Sequence, residues 1–142
     1  SGMEYCSSVW DPHLQKDKDT LEKVNRRAAR VVFNRSWRDR DVSPTALLKQ
    51  LNWKPLETRR YDNRMCMMYK ISHGLVAVPP TRLVKPTRDT RGHPFKYQTI
   101  RTKCDQTKNS FFPRSIPEWN QLSSDIVNAK SINSFKTQLQ KA

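Results

Sequence analysis

The sequence predicts a mainly α-helical fold, a small bundle of about five helices with a basic, proline-containing arm. Apolar residues recur at helical spacing in three stretches, which begin near Leu21, Pro55 and Ser131. Proline and glycine separate the stretches. Only the segment FKYQTIRTK shows the partial alternation that is typical of a short strand or hairpin.

The charge balance predicts a polyanionic partner. The 142 residues include 27 Lys and Arg against 13 Asp and Glu, which gives a formal net charge of +14. Nucleic acid is the first expectation, and an acidic membrane surface or an acidic protein comes second. No apolar run is long enough to span a bilayer, and we expect no membrane partner.

The first helix carries the clearest signal, in the stretch LEKVNRRAARVVF from Leu21 to Phe33. At 100° per residue, one stripe is aliphatic and is predicted to be buried: Leu21, Val24, Ala28, Val31 and Val32. The nearly opposite face is cationic and is formed by Lys23, Arg26, Arg27 and Arg30. Asp19 or Thr20 is the predicted cap, and Glu22 can offset Arg26 alone. The cationic face is either an ordinary solvated surface or a phosphate-binding one.

Two further helices follow. Ser43 and Pro44 predict the start of a short helix that ends near Asn52. Pro55 begins the longest helix and Gly74 ends it. Its predicted buried side is Leu56, Tyr61, Met65, Met68 and Ile71, and its spread of apolar residues predicts a central position. The methionines are expected to be core rather than a binding groove.

The sequence divides into a helical lobe (1–78), a basic arm (79–108) and a C-terminal helical segment (109–142) that packs back on the first lobe. The arm is interrupted by proline and rich in cations, including Arg88, Arg91, Lys96, Arg101 and Lys103. It is either a flexible charged linker or a segment that follows a phosphate backbone, with Tyr97 or Phe95 stacking on a base.

The C-terminal segment regains apolar character. Its apolar group lies around Pro117, which is predicted near the start of a short helix. Ser131 is the predicted cap of a final helix whose inner face carries Ile132, Phe135 and Leu139.

Catalytic and metal-binding motifs are missing from the sequence. It has no glycine-rich phosphate loop, nucleophile elbow, HExxH or CxxC motif. Cys6, Cys66 and Cys104 have no metal-like spacing with the histidines, so we expect free thiols and no metal. We expect a non-catalytic protein without a cofactor.

Six stretches occur in an order that resembles a known family: EYCSSVWDPH, LEKVNRRAARVVF, LNWKPLETRRYDNRMCMMYKISHG, TRGHPFKYQ, SFFPRSIPEWNQL and SINSFKTQL. Together they resemble the region after the polymerase core of non-LTR (LINE-class) retrotransposon reverse transcriptases of the chicken-repeat and jockey-like branches. The similarity runs from about Glu4 to Leu139. Some LINE branches carry a zinc knuckle after the thumb, and this chain has no such Cys/His set.

The resemblance implies a helical thumb that grips a template-primer duplex, and a C-terminal extension that helps to hold RNA or target DNA. It also implies that the catalytic palm aspartates lie outside this chain, which would join the remainder of a reverse transcriptase in a longer protein. The partner would be RNA, DNA or an RNA–DNA hybrid, and the location nuclear, with the cytoplasm as a second site. The implied contact residues are Lys23, Arg26, Arg27, Arg30, Arg88, Arg91, Lys96, Tyr97, Arg101 and Lys103.

Two alternatives remain from the sequence. The chain is also interpretable as a helical protein-interaction module domesticated from a retroelement, which docks a partner on its Met-rich helix and SFFP segment. A third interpretation is self-association through a surface that the polymerase would otherwise cover.

Overall fold

The structure, a computed structural model, describes residues 4–35, 43–79, 83–87 and 92–141. This part of the chain is helical and contains no β-strand, which confirms the predicted mainly α-helical class. The hairpin considered for the arm is not formed in these residues. The helices are α1 (Gln15–Val32), α2 (Pro44–Gln50), α3 (Leu56–Ser72), α4 (Asp105–Lys108), α5 (Phe111–Asn120), α6 (Ser124–Val127) and α7 (Ile132–Leu139).

The chain forms two compact units. The first comprises Ser1–Ser7 and Asp11–Tyr61, and the second comprises Ser8–Trp10 and Asp62–Ala142. The division falls inside α3, whereas the sequence placed its first boundary at residue 78. The sequence located that boundary from a change in composition, since prolines and unopposed cations begin after Val78. Composition does not show that one helix can contribute to two units along its length.

The core of the first unit lies between α1 and α2. Ala29 of α1 is buried with Leu47 and Leu48 of α2. Three half-buried apolar side chains pack against this group: Phe33, Leu51 and Trp53. Pro44 is the first residue of α2, as the sequence predicts, because its fixed φ suits the first helical turn and its missing N–H is not needed there.

The buried face of α1 differs from the predicted one. Val24, Val31 and Val32 are exposed, with 71% of Val31 accessible, while Asn25 and Ala29 are buried. The predicted stripe is therefore wrong for the three valines. The helix also begins at Gln15 rather than at Asp19 or Thr20, since both of these residues lie inside it.

The central helix α3 is buried around most of its circumference. Met65 and Met68 are fully buried, which confirms the interpretation of the methionines as core. At its end Gly74 has φ +69°, and the N–H groups of Gly74 and Leu75 donate to the carbonyls of Ile71 (3.1 Å) and Lys70 (2.8 Å). This is a Schellman motif, and it explains why the helix stops at the glycine.

The second unit is centred on aromatic side chains. Phe135 of α7 lies 4.7 Å from the ring of Tyr69 on α3 and 6.0 Å from the ring of Trp119 on α5. Ser131 caps α7 by accepting a hydrogen bond from the Ser134 N–H (3.2 Å), as predicted. The helix start predicted near Pro117 is wrong, because α5 already begins at Phe111 and holds Pro117 in its interior.

Candidate nucleic-acid interface

Three of the four predicted cations of α1 are exposed. Lys23, Arg26 and Arg27 face solvent, and Arg30 is half-buried and has an interaction partner. The four positions span about 100° of the helix circumference and about 10 Å along its axis. The helix therefore presents a compact cationic face, hereafter the α1 cationic face, formed by these four residues.

Two acids of α1 lie on or beside this face. Asp19, four residues before Lys23, is exposed on the face and accepts a hydrogen bond from Gln15 Nε2 (2.9 Å), whereas Glu22 is turned away from it. Glu22 is the only acid between Leu21 and Phe33. Its Oε2 accepts a hydrogen bond from the backbone N–H of Leu56 (2.9 Å), and its Oε1 accepts one from Asn25 Nδ2 (3.0 Å). Glu22 thus satisfies the N-terminus of α3, where a carboxylate is favoured by the helix dipole. The sequence allowed Glu22 to pair with Arg26 one helical turn later, but Glu22 contacts the backbone of Leu56 instead.

Other arginines that contribute to the net charge are structural. Arg60 Nη1 donates to Asp11 Oδ1 (3.2 Å), and only 3% of its side chain is exposed. Arg64 Nη2 donates to Glu118 Oε2 (2.7 Å), and its side chain is also buried. The sequence did not single out these arginines. Both arginines are spaced i, i+4 on a helix with buried methionines, and this spacing is the sequence signal that could have indicated their burial. The spacing does not identify their acidic partners.

The middle of the arm is docked on α5. Asn120 receives a hydrogen bond from the Tyr97 N–H at Oδ1 (3.0 Å) and donates from Nδ2 to the Tyr97 carbonyl (2.8 Å). Trp119 Nε1 donates to the carbonyl of Phe95 (2.8 Å), and Nε2 of His93 lies 3.0 Å from the carbonyl of Trp119. Residues 93–98, hereafter the docked segment, are therefore held largely through backbone groups. This arrangement disfavours the flexible-linker interpretation for this part of the arm.

Docking removes one predicted stacking platform. Tyr97 is only 6% exposed, and its hydroxyl donates to Ser72 Oγ (3.0 Å). A ring in this position cannot stack on a base, so the role predicted for Tyr97 does not fit the structure. Phe95 is half-buried and packs edge-on against His73, with the ring centroids 4.7 Å apart.

The remaining predicted cations of the arm vary in their placement. Arg101 and Lys103 are exposed, and Lys96 is half-buried with an interaction partner. Arg88 and Arg91 lie outside the described residues. The α1 cationic face belongs to the first unit and the arm to the second, so they are two separate candidate surfaces.

A polar cleft of about 210 Å³ lies in the first unit, beside the α1 cationic face. Arg26 lines it together with Lys18, whose Nζ lies 2.6 Å from Glu57 Oε1. We call this exposed ion pair, Lys18 with Glu57, the surface pair. The cleft also includes Asp19 and Glu22. Its mixed charge is less suited to phosphate than the outer face of α1, where three exposed cations outnumber the one exposed acid, Asp19.

The described residues include no group of three or more His, Cys, Asp or Glu side chains arranged to hold a metal ion. No helix within the described ranges is long and apolar enough to cross a membrane. Cys104 is exposed, and a hydrogen bond with the Thr107 hydroxyl (3.0 Å) lowers the pKa of its thiol. Burial raises the pKa of the Cys66 thiol.

Comparison with known proteins adds no relative: no family model, no curated protein and no solved structure matches this chain.

Proposed function

We propose that this chain is a non-catalytic nucleic-acid-binding module that grips RNA or a template-primer duplex through phosphate contacts. The sequence resemblance to the thumb and C-terminal region of LINE-type reverse transcriptases supports this function. The α1 cationic face carries the proposal, because Lys23, Arg26 and Arg27 are exposed while Glu22 is engaged at the start of α3.

The chemistry of this face suits phosphate. A guanidinium group can hold a phosphate through two hydrogen bonds, and cations about 10 Å apart along a helix can contact more than one phosphate. Such contacts give affinity without reading bases. The same reasoning assigns the exposed Arg101 and Lys103 of the arm to phosphate contacts, as an independent region.

A protein-interaction module is the second candidate, and one observation favours it. Val24 and Val31, seven residues apart on α1, form an exposed apolar strip beside the cations, and Val32 is exposed as well. The Met-rich helix does not support this alternative, because Met65 and Met68 are fully buried. Under this alternative the positive charge would be idle, and nucleic acid would bind only at very low salt.

The test is fluorescence anisotropy with labelled single-stranded RNA, duplex DNA and RNA–DNA hybrid, each at several salt concentrations. The decisive variant combines Lys23→Glu with Arg27→Glu, because both side chains are exposed and make no ion pair or hydrogen bond in the described part of the chain. If both residues contact duplex DNA phosphates, the slope of log K against log salt should become shallower by about two.

The matched control combines Lys130→Glu with Lys141→Glu, which changes the net charge equally at exposed positions outside α1. The proposal expects the α1 variant to lose much more affinity than this control. Equal losses would show that net charge alone attracts the nucleic acid, and would overturn the assignment of the α1 cationic face. A third variant, Val24→Ser with Val31→Ser, should leave binding unchanged unless the apolar strip is the functional surface.

A further inference from the structure

One buried histidine holds the docked segment in a way that depends on its charge. His93 is only 2% exposed, and its Nε2 lies 3.0 Å from the carbonyl oxygen of Trp119. A carbonyl can only accept a hydrogen bond, so Nε2 carries the proton and donates. Nδ1 of the same ring is buried and has no hydrogen-bond partner within the described residues. In the neutral ring Nδ1 is unprotonated, and this tautomer is compatible with its surroundings.

A second proton on this ring would be poorly accommodated. It would add an N–H donor at Nδ1 with nothing to accept it, and would place a positive charge in the core. Burial lowers the pKa of His93, and nearby Lys96 lowers it further, while the hydrogen bond to Trp119 opposes both effects. The charged form is therefore disfavoured as long as the segment is docked.

Among the described residues, the carboxylates on the elements around the docked segment are already engaged. On α5, Glu118 is engaged by Arg64 at 2.7 Å. On the part of α3 that belongs to the same unit, the one carboxylate is Asp62, which has an interaction partner. His73, directly after α3, packs against Phe95 of the docked segment, and burial lowers its pKa as well. The remaining charged groups are cations: Lys96 on the segment, Arg114 on α5, and Arg64 and Lys70 on α3.

We propose that His93 is a pH-sensitive latch: neutral His93 holds residues 93–98 of the basic arm on α5, and its protonation releases them. The direction of the pH dependence follows from the linkage between protonation of His93 and docking of the segment. An undocked histidine titrates near its ordinary pKa of about 6.5, whereas the docked ring has a lowered pKa. The docking equilibrium is then independent of pH above about 6.5 and weakens about tenfold per pH unit below it, until the docked ring itself titrates.

One backbone amide reports on the latch directly. The Tyr97 N–H donates to Asn120 Oδ1 at the end of α5 (3.0 Å). This hydrogen bond is lost when the segment leaves α5. The experiment measures hydrogen exchange of the full chain by NMR between about pH 7.5 and 5, corrected for the intrinsic pH dependence of exchange. The amide of buried Met68 in α3 serves as the internal reference.

The matched variant is His93→Gln, whose side-chain amide can donate to the Trp119 carbonyl but does not titrate in this range. Protection of the Tyr97 amide should fall about tenfold per pH unit below about 6.5 in the wild type, with Met68 unchanged. The variant should lose this dependence, whereas His73→Gln, which replaces the other histidine in contact with the segment, should keep it. His13→Gln, at an exposed position, should keep it.

Three outcomes would overturn the latch. Protection of the Tyr97 amide could be independent of pH, or it could fall in parallel with that of Met68, which would indicate global unfolding. The dependence could also persist in His93→Gln, which would assign it to another group. None of these measurements involves nucleic acid, so the latch and the proposed function are tested separately.

Discussion

The paired hydrogen bonds between Asn120 and the backbone of Tyr97 make the docking of the arm quantitatively testable. Asn120→Ala removes both the acceptor at 3.0 Å and the donor at 2.8 Å, and leaves the N–H and C=O of a buried residue without these partners. A hydrogen bond contributes about 1 kcal/mol net, so the two together stabilise the docked segment by about 2 kcal/mol. This corresponds to a change of about thirtyfold in the docking equilibrium.

Hydrogen exchange measures this change residue by residue. In Asn120→Ala, the amide of Tyr97 should exchange about thirtyfold faster than in the wild type at neutral pH, while Met68 in α3 changes much less. The control is Asn128→Ala, at an exposed position after α6. If the Tyr97 amide exchanges at the wild-type rate in Asn120→Ala, the side chain does not hold the segment, and the reasoning is wrong.

Two further predictions follow from the buried and reactive groups. Asp11→Asn weakens the buried ion pair with Arg60 and should lower the free energy of unfolding by about 3 kcal/mol in a denaturant titration. Breaking the surface pair, Lys18 with Glu57, should lower the free energy of unfolding by less than about 1 kcal/mol. Equal effects would contradict the role of burial. Cys104 should react with a thiol reagent at neutral pH much faster than buried Cys66, because its lowered pKa gives more thiolate. Thr107→Ala should slow the reaction of Cys104. An unchanged rate in this variant would show that the hydrogen bond does not activate the thiol.

The helices were largely predictable because their signals are local. Pro44 at the first turn of α2, Gly74 after α3 and Ser131 before α7 act on backbone groups within a few residues. Each of these three termini was predicted within a few positions. The start of α5 was not, because Pro117 was taken as a helix start and lies in the helix interior instead.

The candidate site was only partly predictable. The exposure of Lys23, Arg26 and Arg27 agrees with the pattern, since all three lie on a face without apolar residues. The burial of Tyr97 did not follow from its basic surroundings. Its backbone partner Asn120 is 23 residues away, and nothing in the alternation of FKYQTIRTK identifies that amide.

The sequence by itself determined the mainly helical class, the positive charge and the position of the cations on one face of α1, because these depend on composition and on short-range periodicity. Only the tertiary structure decided which face of α1 is buried. There Glu22 reaches the backbone of Leu56, 34 residues later, and its contact with Asn25 helps to bury that polar residue while Val31 remains exposed. The physical reason is that buried hydrogen bonds and ion pairs need partners from distant parts of the chain, and such partners become neighbours only when the chain has folded.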